Sequence, residues 1–178
     1  MPPRPIPEDL LPWALSVSGL PPAGDQPELV VVAGDASNRR YFRLTPDGES
    51  YIVVEAPPAT EKNAEFLAVR EMLAEAGICV PGLIGADLDR GFMLLEDLGN
   101  RVLLAELTDE TVDVAYGRAF DVLGRMAAIA PTDPAWPTYD RALLGEELSR
   151  FPEWFVQALL EYTLTPGDLA IWRPFAGS

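Results

Sequence analysis

Gly34-Asp35-Ala36-Ser37-Asn38-Arg39-Arg40-Tyr41-Phe42-Arg43-Leu44 runs, after a short interval, into Tyr51-Ile52-Val53-Val54. Two strand-like segments separated by Thr45-Pro46-Asp47-Gly48 have the composition of an antiparallel pair with a turn between them. The leading end is unusual for a simple hairpin. Gly34 and Ala36 are small enough to admit a ligand to the backbone, Ser37 and Asn38 offer short polar side chains, and three arginines fall within five residues. That combination suits the clasping of a polyphosphate. On an alternating strand Arg40, Phe42 and Leu44 share one face, and Arg39, Tyr41 and Arg43 share the other. Only one set can face a ligand, and the segment by itself leaves both open. Arginines on an exposed hairpin also serve as plain surface charge, but the chain has few cations to spend that way.

Outward from this hairpin, residues 29–32 read as a further strand, giving a three-stranded meander with 39–44 and 51–54. A short helix over residues 8–20 precedes it, with a stop at Ser18-Gly19 and a turn-rich linker over 21–26. Residues 60–76 carry Phe66, Val69, Leu73 and Ala76 on one helical stripe and end at Gly77, which predicts a helix packed across the sheet. Two more strands, 82–86 and 91–95, are joined by Asp87-Leu88-Asp89-Arg90. Beyond Asn100 the pattern turns helical: 102–107, 110–130, a proline-rich loop, 141–147 and 154–162. The expected domains are a leading helix and linker over 1–27, a sheet-rich lobe over 28–97, a hinge at 98–100 and helices over 101–178. Leu94-Leu95-Glu96-Asp97-Leu98-Gly99 could equally be a buried edge strand and turn; its place before the switch to helices favours the hinge, since ligands prefer such junctions.

Composition narrows the function. The 178 residues include no histidine, so imidazole chemistry is excluded for this polypeptide acting alone. A net charge of −15 opposes sequence-independent attraction to nucleic acid or to anionic lipid. The N-terminus lacks the continuous apolar stretch of a secretory signal and no segment approaches a membrane span, so a soluble cytoplasmic protein is expected. Cys79, the one cysteine, lies between Ile78 and Val80 and reads as a buried free thiol.

As an ordered set, the 34–44 hairpin, Val53-Val54-Glu55-Ala56-Pro57-Pro58, Gly91-Phe92-Met93-Leu94-Leu95-Glu96-Asp97-Leu98-Gly99, Tyr139-Asp140-Arg141, Glu146-Glu147-Leu148 and Phe151-Pro152-Glu153-Trp154-Phe155 resemble the aminoglycoside phosphotransferase family. The resemblance is narrower still to its bacterial anomeric sugar kinases, which phosphorylate N-acetylmuramate and N-acetylglucosamine in cell-wall recycling. It implies an α+β, protein-kinase-like fold: a five-stranded antiparallel N-lobe with one packed helix, a hinge, and the first helices of a helical C-lobe. It further implies ATP as cofactor with Mg²⁺, a sugar as substrate, and a nucleotide site drawing on Ser37, Asn38, Arg39, Arg40, Val53, and the hinge at Glu96 and Leu98. Asp97 would stand on the adenine or ribose side or simply cap a turn. Tyr139, Asp140 and Trp154, with Phe155, would lie toward the sugar, although aromatics so spaced also serve as core.

Two departures from the family pattern stand out. Kinase-like folds place a lysine on the third strand, paired with a glutamate of the next helix. Here the strand reads Tyr51-Ile52-Val53-Val54-Glu55 and the only lysine is Lys62, so Arg39 or Arg40 would supply the charge, with Glu61 or Glu65 as the acid. The family's His-x-Asp catalytic loop and its later metal-binding Asp fall C-terminal to these helices, so no catalytic residue or metal ligand is assigned in this chain. Glu146 and Glu147 read as solvated helix charge. The expectation is an N-terminal portion of a kinase, inactive alone, with apolar helical surface left uncovered. The rival readings are a non-catalytic nucleotide- or partner-binding module of the same fold, and an acidic α+β protein with no nucleotide site.

Overall fold

A computed structural model of the chain describes residues 4–19, 27–34, 38–46, 48–130 and 139–172. Asp35, Ala36 and Ser37, the 21–26 linker and the 131–138 loop lie outside the described residues. The chain divides into two units, Met1–Ala130 and Pro131–Ser178.

The first unit is built on five strands, β1 (Val30–Gly34), β2 (Arg40–Leu44), β3 (Tyr51–Glu55), β4 (Leu83–Asp87) and β5 (Phe92–Glu96). They form one sheet in the order β1-β2-β3-β5-β4, with every neighbouring pair antiparallel. The centre goes to the most apolar strands, β3 and β5, where Val53, Val54, Met93 and Leu94 are fully buried. Strands covered on both faces read as continuous apolar runs, whereas β4 at the edge alternates between half-buried and exposed positions.

Register sorts the side chains into two faces. Phe42, Val53 and Leu94 lie opposite one another across three strands, and with Leu44 and Phe92 they pack on the helix α1 (Leu10–Ser18) through Leu10 and Ala14. Gly19 ends α1 in the left-handed conformation, φ 72°. Tyr41, Val54 and Met93, together with Ile52, Ala56 and Leu95, form the other face, which receives Phe66 and Leu67 of the helix α2 (Asn63–Glu75).

The inward stripe of α2 differs from the one expected. Asn63, Phe66, Leu67 and Arg70 turn inward at the i, i+3, i+4, i+7 spacing, while Val69 is exposed. The rotation is set by anchoring: the buried Asn63 amide donates to the Ala56 carbonyl at 2.7 Å, and Arg70 Nε donates to the Pro81 carbonyl at 2.8 Å. The helix also starts later than expected, because the N–H groups of Thr60 and Glu61 both bond to the Pro57 carbonyl and close a turn first. Cys79 is exposed, which corrects the expected buried thiol. Ile78 takes the inward position, and its neighbour on an irregular segment points out.

After β5 the chain passes through a linker and a 3-10 turn, Leu103–Glu106, into α3 (Val112–Ala127). Val114, Tyr116, Phe120 and Leu123 of α3 are exposed. In the second unit, α4 (Arg141–Arg150) is N-capped by Asp140, whose carboxylate accepts the Leu143 N–H at 2.9 Å. Two separate helices were expected here. Instead α4 continues into a π-helical stretch, Phe151–Leu159, because Pro152 has no N–H to extend the α ladder and its ring crowds the preceding turn. The last helix, α5 (Pro166–Trp172), was not expected. Its signal is Thr165-Pro166-Gly167-Asp168, a reciprocal capping box in which Asp168 accepts the Thr165 N–H at 2.8 Å and donates its own N–H to the Thr165 hydroxyl at 3.2 Å.

Candidate nucleotide site

A cavity of about 280 Å³ opens on the Tyr41-Ile52 face of the sheet. Tyr41 of β2, Ile52 of β3 and Leu95 of β5 form its floor, and Val32 of β1 and Pro81 stand at its edges. The 96–99 linker closes one side, and Arg43 adds a guanidinium to the lining. A largely apolar lining with a few polar groups along one edge is the usual makeup of a small-molecule site, and the size suits a planar base better than a whole nucleotide.

The linker wall is held by a polar network. Arg43 donates from Nε and Nη2 to the two carboxylate oxygens of Asp97, the second bond at 3.0 Å. Asp97 also accepts the Ser50 hydroxyl and, at 2.8 Å, the Gly99 N–H. Arg43 Nη1 reaches Asn100 Oδ1 at 2.7 Å. The Arg43 guanidinium, and after it the Ser50 and Gly99 donors, hold the Asp97 carboxyl well below the usual carboxylate range against the cost of burial. Asp97 is therefore an anionic anchor of the linker as well as a turn residue.

Arg39 and Arg40 separate completely. Arg39 lies on the cavity face, its guanidinium 4.6 Å from the ring centroid of Phe66 in α2 and its Nε 3.4 Å from the Glu61 carboxylate. Glu61 in turn accepts the Asn38 N–H at 3.1 Å, just ahead of β2. Arg40 lies on the α1 face. It bonds the buried Glu55 carboxylate and the Arg4 carbonyl, and it reaches the Pro5 carbonyl at 2.8 Å, which fastens the N-terminal strap. Strand alternation turns it away from the cavity.

Val53 is turned from the cavity in the same way. It is fully buried against α1, and the β3 residue that lines the cavity is Ile52. Glu96 and Leu98 do line it. The Glu96 carboxylate is engaged with the Gly82 N–H at 2.9 Å, whereas the Leu98 N–H has no acceptor among the described residues. Ser37 lies outside the described residues, and Asn38 is exposed at the hairpin. Tyr139 and Trp154 belong to the second unit and are 60% and 70% exposed, and Asp140 is committed to its helix cap. Sequence reasoning missed Tyr41, Ile52, Leu95 and Arg43 as lining residues. For Tyr41 and Arg43 the available signal was their shared face with Arg39.

Residues 28–174 match the phosphotransferase enzyme family APH. The chain belongs to that family. Its sheet with packed helices is the α+β arrangement of the kinase-like APH fold. Among curated relatives, the chain is 39% identical over 152 residues to an N-acetylmuramate/N-acetylglucosamine kinase of Pseudomonas putida, covering 85% of this chain and 44% of that protein. Proteins of the same name from Pseudomonas aeruginosa and Neisseria meningitidis are 38% and 34% identical, covering 86% and 82% of this chain and 44% of each relative. The chain thus spans under half the length of these relatives. Among its described residues no three acidic or cysteine side chains converge to hold a metal ion, and no helix is long and apolar enough to cross a membrane.

Proposed function

We propose that this chain binds ATP for an APH-type sugar kinase, with adenine in the Tyr41-Ile52-Leu95 cavity and the phosphates toward Asn38 and Arg39. The observation that carries this reading is the cavity itself: an apolar slot on the sheet face that also bears Arg39, bounded by a linker whose Leu98 N–H has no acceptor among the described residues. Glu96 and Leu98 would offer their backbone carbonyl and N–H to the base edge. Arg39, held by Glu61, would supply the positive charge that a third-strand lysine gives other kinases, since β3 presents only Ile52 and Val54 to this face. Charge neutralisation and positioning are the main demands of phosphoryl transfer.

The reaction we infer is transfer of the ATP γ-phosphoryl group to a sugar hydroxyl, at the anomeric position of N-acetylmuramate or N-acetylglucosamine, the substrates in the relatives' names. Tyr139 and Trp154 are proposed to face the sugar, and Asp140 to position them through its helix cap. Among the described residues no three acidic or cysteine side chains converge where Mg²⁺ could be held. An ATP donor and a net charge of −15 support a cytoplasmic setting without nucleic-acid or membrane partners.

The test is titration with ATP and Mg²⁺ followed by thermal unfolding. Saturable binding and a rise in melting temperature at ligand well above Kd are expected by mass action. No shift at millimolar ATP would overturn the nucleotide reading. For the reaction, a downstream His-x-Asp segment and a later Asp in the same reading frame are expected, and their absence would point to a non-catalytic module.

A further inference from the structure

We propose that Arg43 is a positioning residue for the base: acting through Asp97 and Asn100, it latches the 97–100 linker so that Leu98 N–H and Glu96 carbonyl stand at the cavity edge. This rests on the nucleotide reading above.

The linker has little else to hold it. It follows the last residue of β5 and contains Gly99 at φ 85°, and the Leu98 side chain is 59% exposed, so no apolar anchor fixes it. Val102 and Leu103 beyond it are exposed as well. What the linker has is the Asp97 carboxylate, 5% exposed, accepting four hydrogen bonds. Two come from Arg43 on β2, one from Ser50 just before β3, and one from Gly99 in the linker itself. Arg43 adds the bond to Asn100, so a single planar guanidinium grips both ends of the segment that carries Leu98. Forked geometry of this kind is specific to arginine, and the ammonium of lysine cannot reproduce it. Ser50 and Asn100 touch the latch without lining the cavity, which separates an effect of linker position from direct contact with the base.

The experiment measures competition against bound ATP by adenosine and by tripolyphosphate for the intact chain and its variants. Arg43→Lys and Asp97→Asn should weaken adenosine and ATP by a common factor of about tenfold and leave tripolyphosphate unchanged. Ser50→Ala and Asn100→Ala, each removing one bond, should weaken adenosine by about two- to fivefold. A variant that only loosens the fold would weaken both competitors together, and that result overturns the latch. It is overturned as well if folded Arg43→Lys, or both Ser50→Ala and Asn100→Ala, bind adenosine as tightly as the parent chain. Should Arg43→Lys and Asp97→Asn fail to fold, the milder pair still decides. Failure of the parent chain to bind ATP would sink the nucleotide reading instead, an outcome distinct from ATP binding that is indifferent to the latch.

Discussion

Arg39 and Arg40 are adjacent in the chain yet serve opposite faces of the sheet, Arg39 stacked on Phe66 beside the cavity and Arg40 bonded to Glu55 under the N-terminal strap. Two neighbouring guanidinium groups are thereby given unrelated tasks by the pleat alone.

Arg39→Ala should lower the affinity for ATP with Mg²⁺ by about tenfold or more, the scale of a charge-assisted contact. Arg40→Ala should leave that affinity within about twofold and instead lower stability by roughly 2 kcal/mol, since it removes a partner of the buried Glu55. Isothermal titration and urea midpoints measured on both variants check the split; equal losses of nucleotide affinity would refute it.

Ile52 and Val53 divide in the same manner. Ile52→Phe is expected to fill the cavity and abolish measurable adenosine binding while retaining most of the stability. Val53→Ala, in the fully buried α1-facing core, should cost about 2 kcal/mol with nucleotide affinity unchanged once folded. The checks are denaturant unfolding and adenosine competition.

Asp97 contributes a definite pH dependence. Its carboxyl is held low in the folded chain by Arg43 and then by Ser50 and Gly99, against about 3.9 when unfolded. Folding therefore gains from the ionised group above the unfolded value and loses that gain as pH falls through the folded one. The stability difference between the parent chain and Asp97→Asn should stay constant from about pH 7 to pH 5 and narrow below about pH 4. Urea midpoints across that range test it, and a difference that widens toward acid would contradict the assignment.

Gly91, the last residue of the β4–β5 turn, extends the β3–β5 pairing where the Ala56 N–H donates to its carbonyl at 2.8 Å. It sits at φ 73°, and a Cβ there would lie 2.0 Å from the Ala56 carbonyl oxygen. Gly91→Ala combines left-handed strain with a backbone clash and should destabilise by about 3 kcal/mol. A thermal unfolding midpoint unchanged by this substitution would show that the turn relaxes freely.

Much of this architecture was legible in local patterns. The strands, the Gly19 and Gly77 helix stops and the two-face division of β2 all follow from spacing within a few residues. The cavity floor was harder to read, because β3 and β5 are buried on both faces. A strand without polar positions loses its period-2 signal, so nothing local distinguishes Ile52 from Val53. The α2 stripe was obscured in a similar way, since two of its four inward positions are the polar Asn63 and Arg70, each paired with a backbone carbonyl.

By itself the sequence determined the order of the five strands and the two helices packed on them, membership of a phosphotransferase family and the fact that Arg39, Tyr41 and Arg43 must travel together. Only the tertiary structure decided which face of the sheet those three occupy, and that Arg43 meets Asp97 from 54 residues away. Alternation along a strand is a property of the backbone and is written locally. The choice between its two faces depends on which helix packs on each, and that is settled by long-range burial, to which no short window of residues has access.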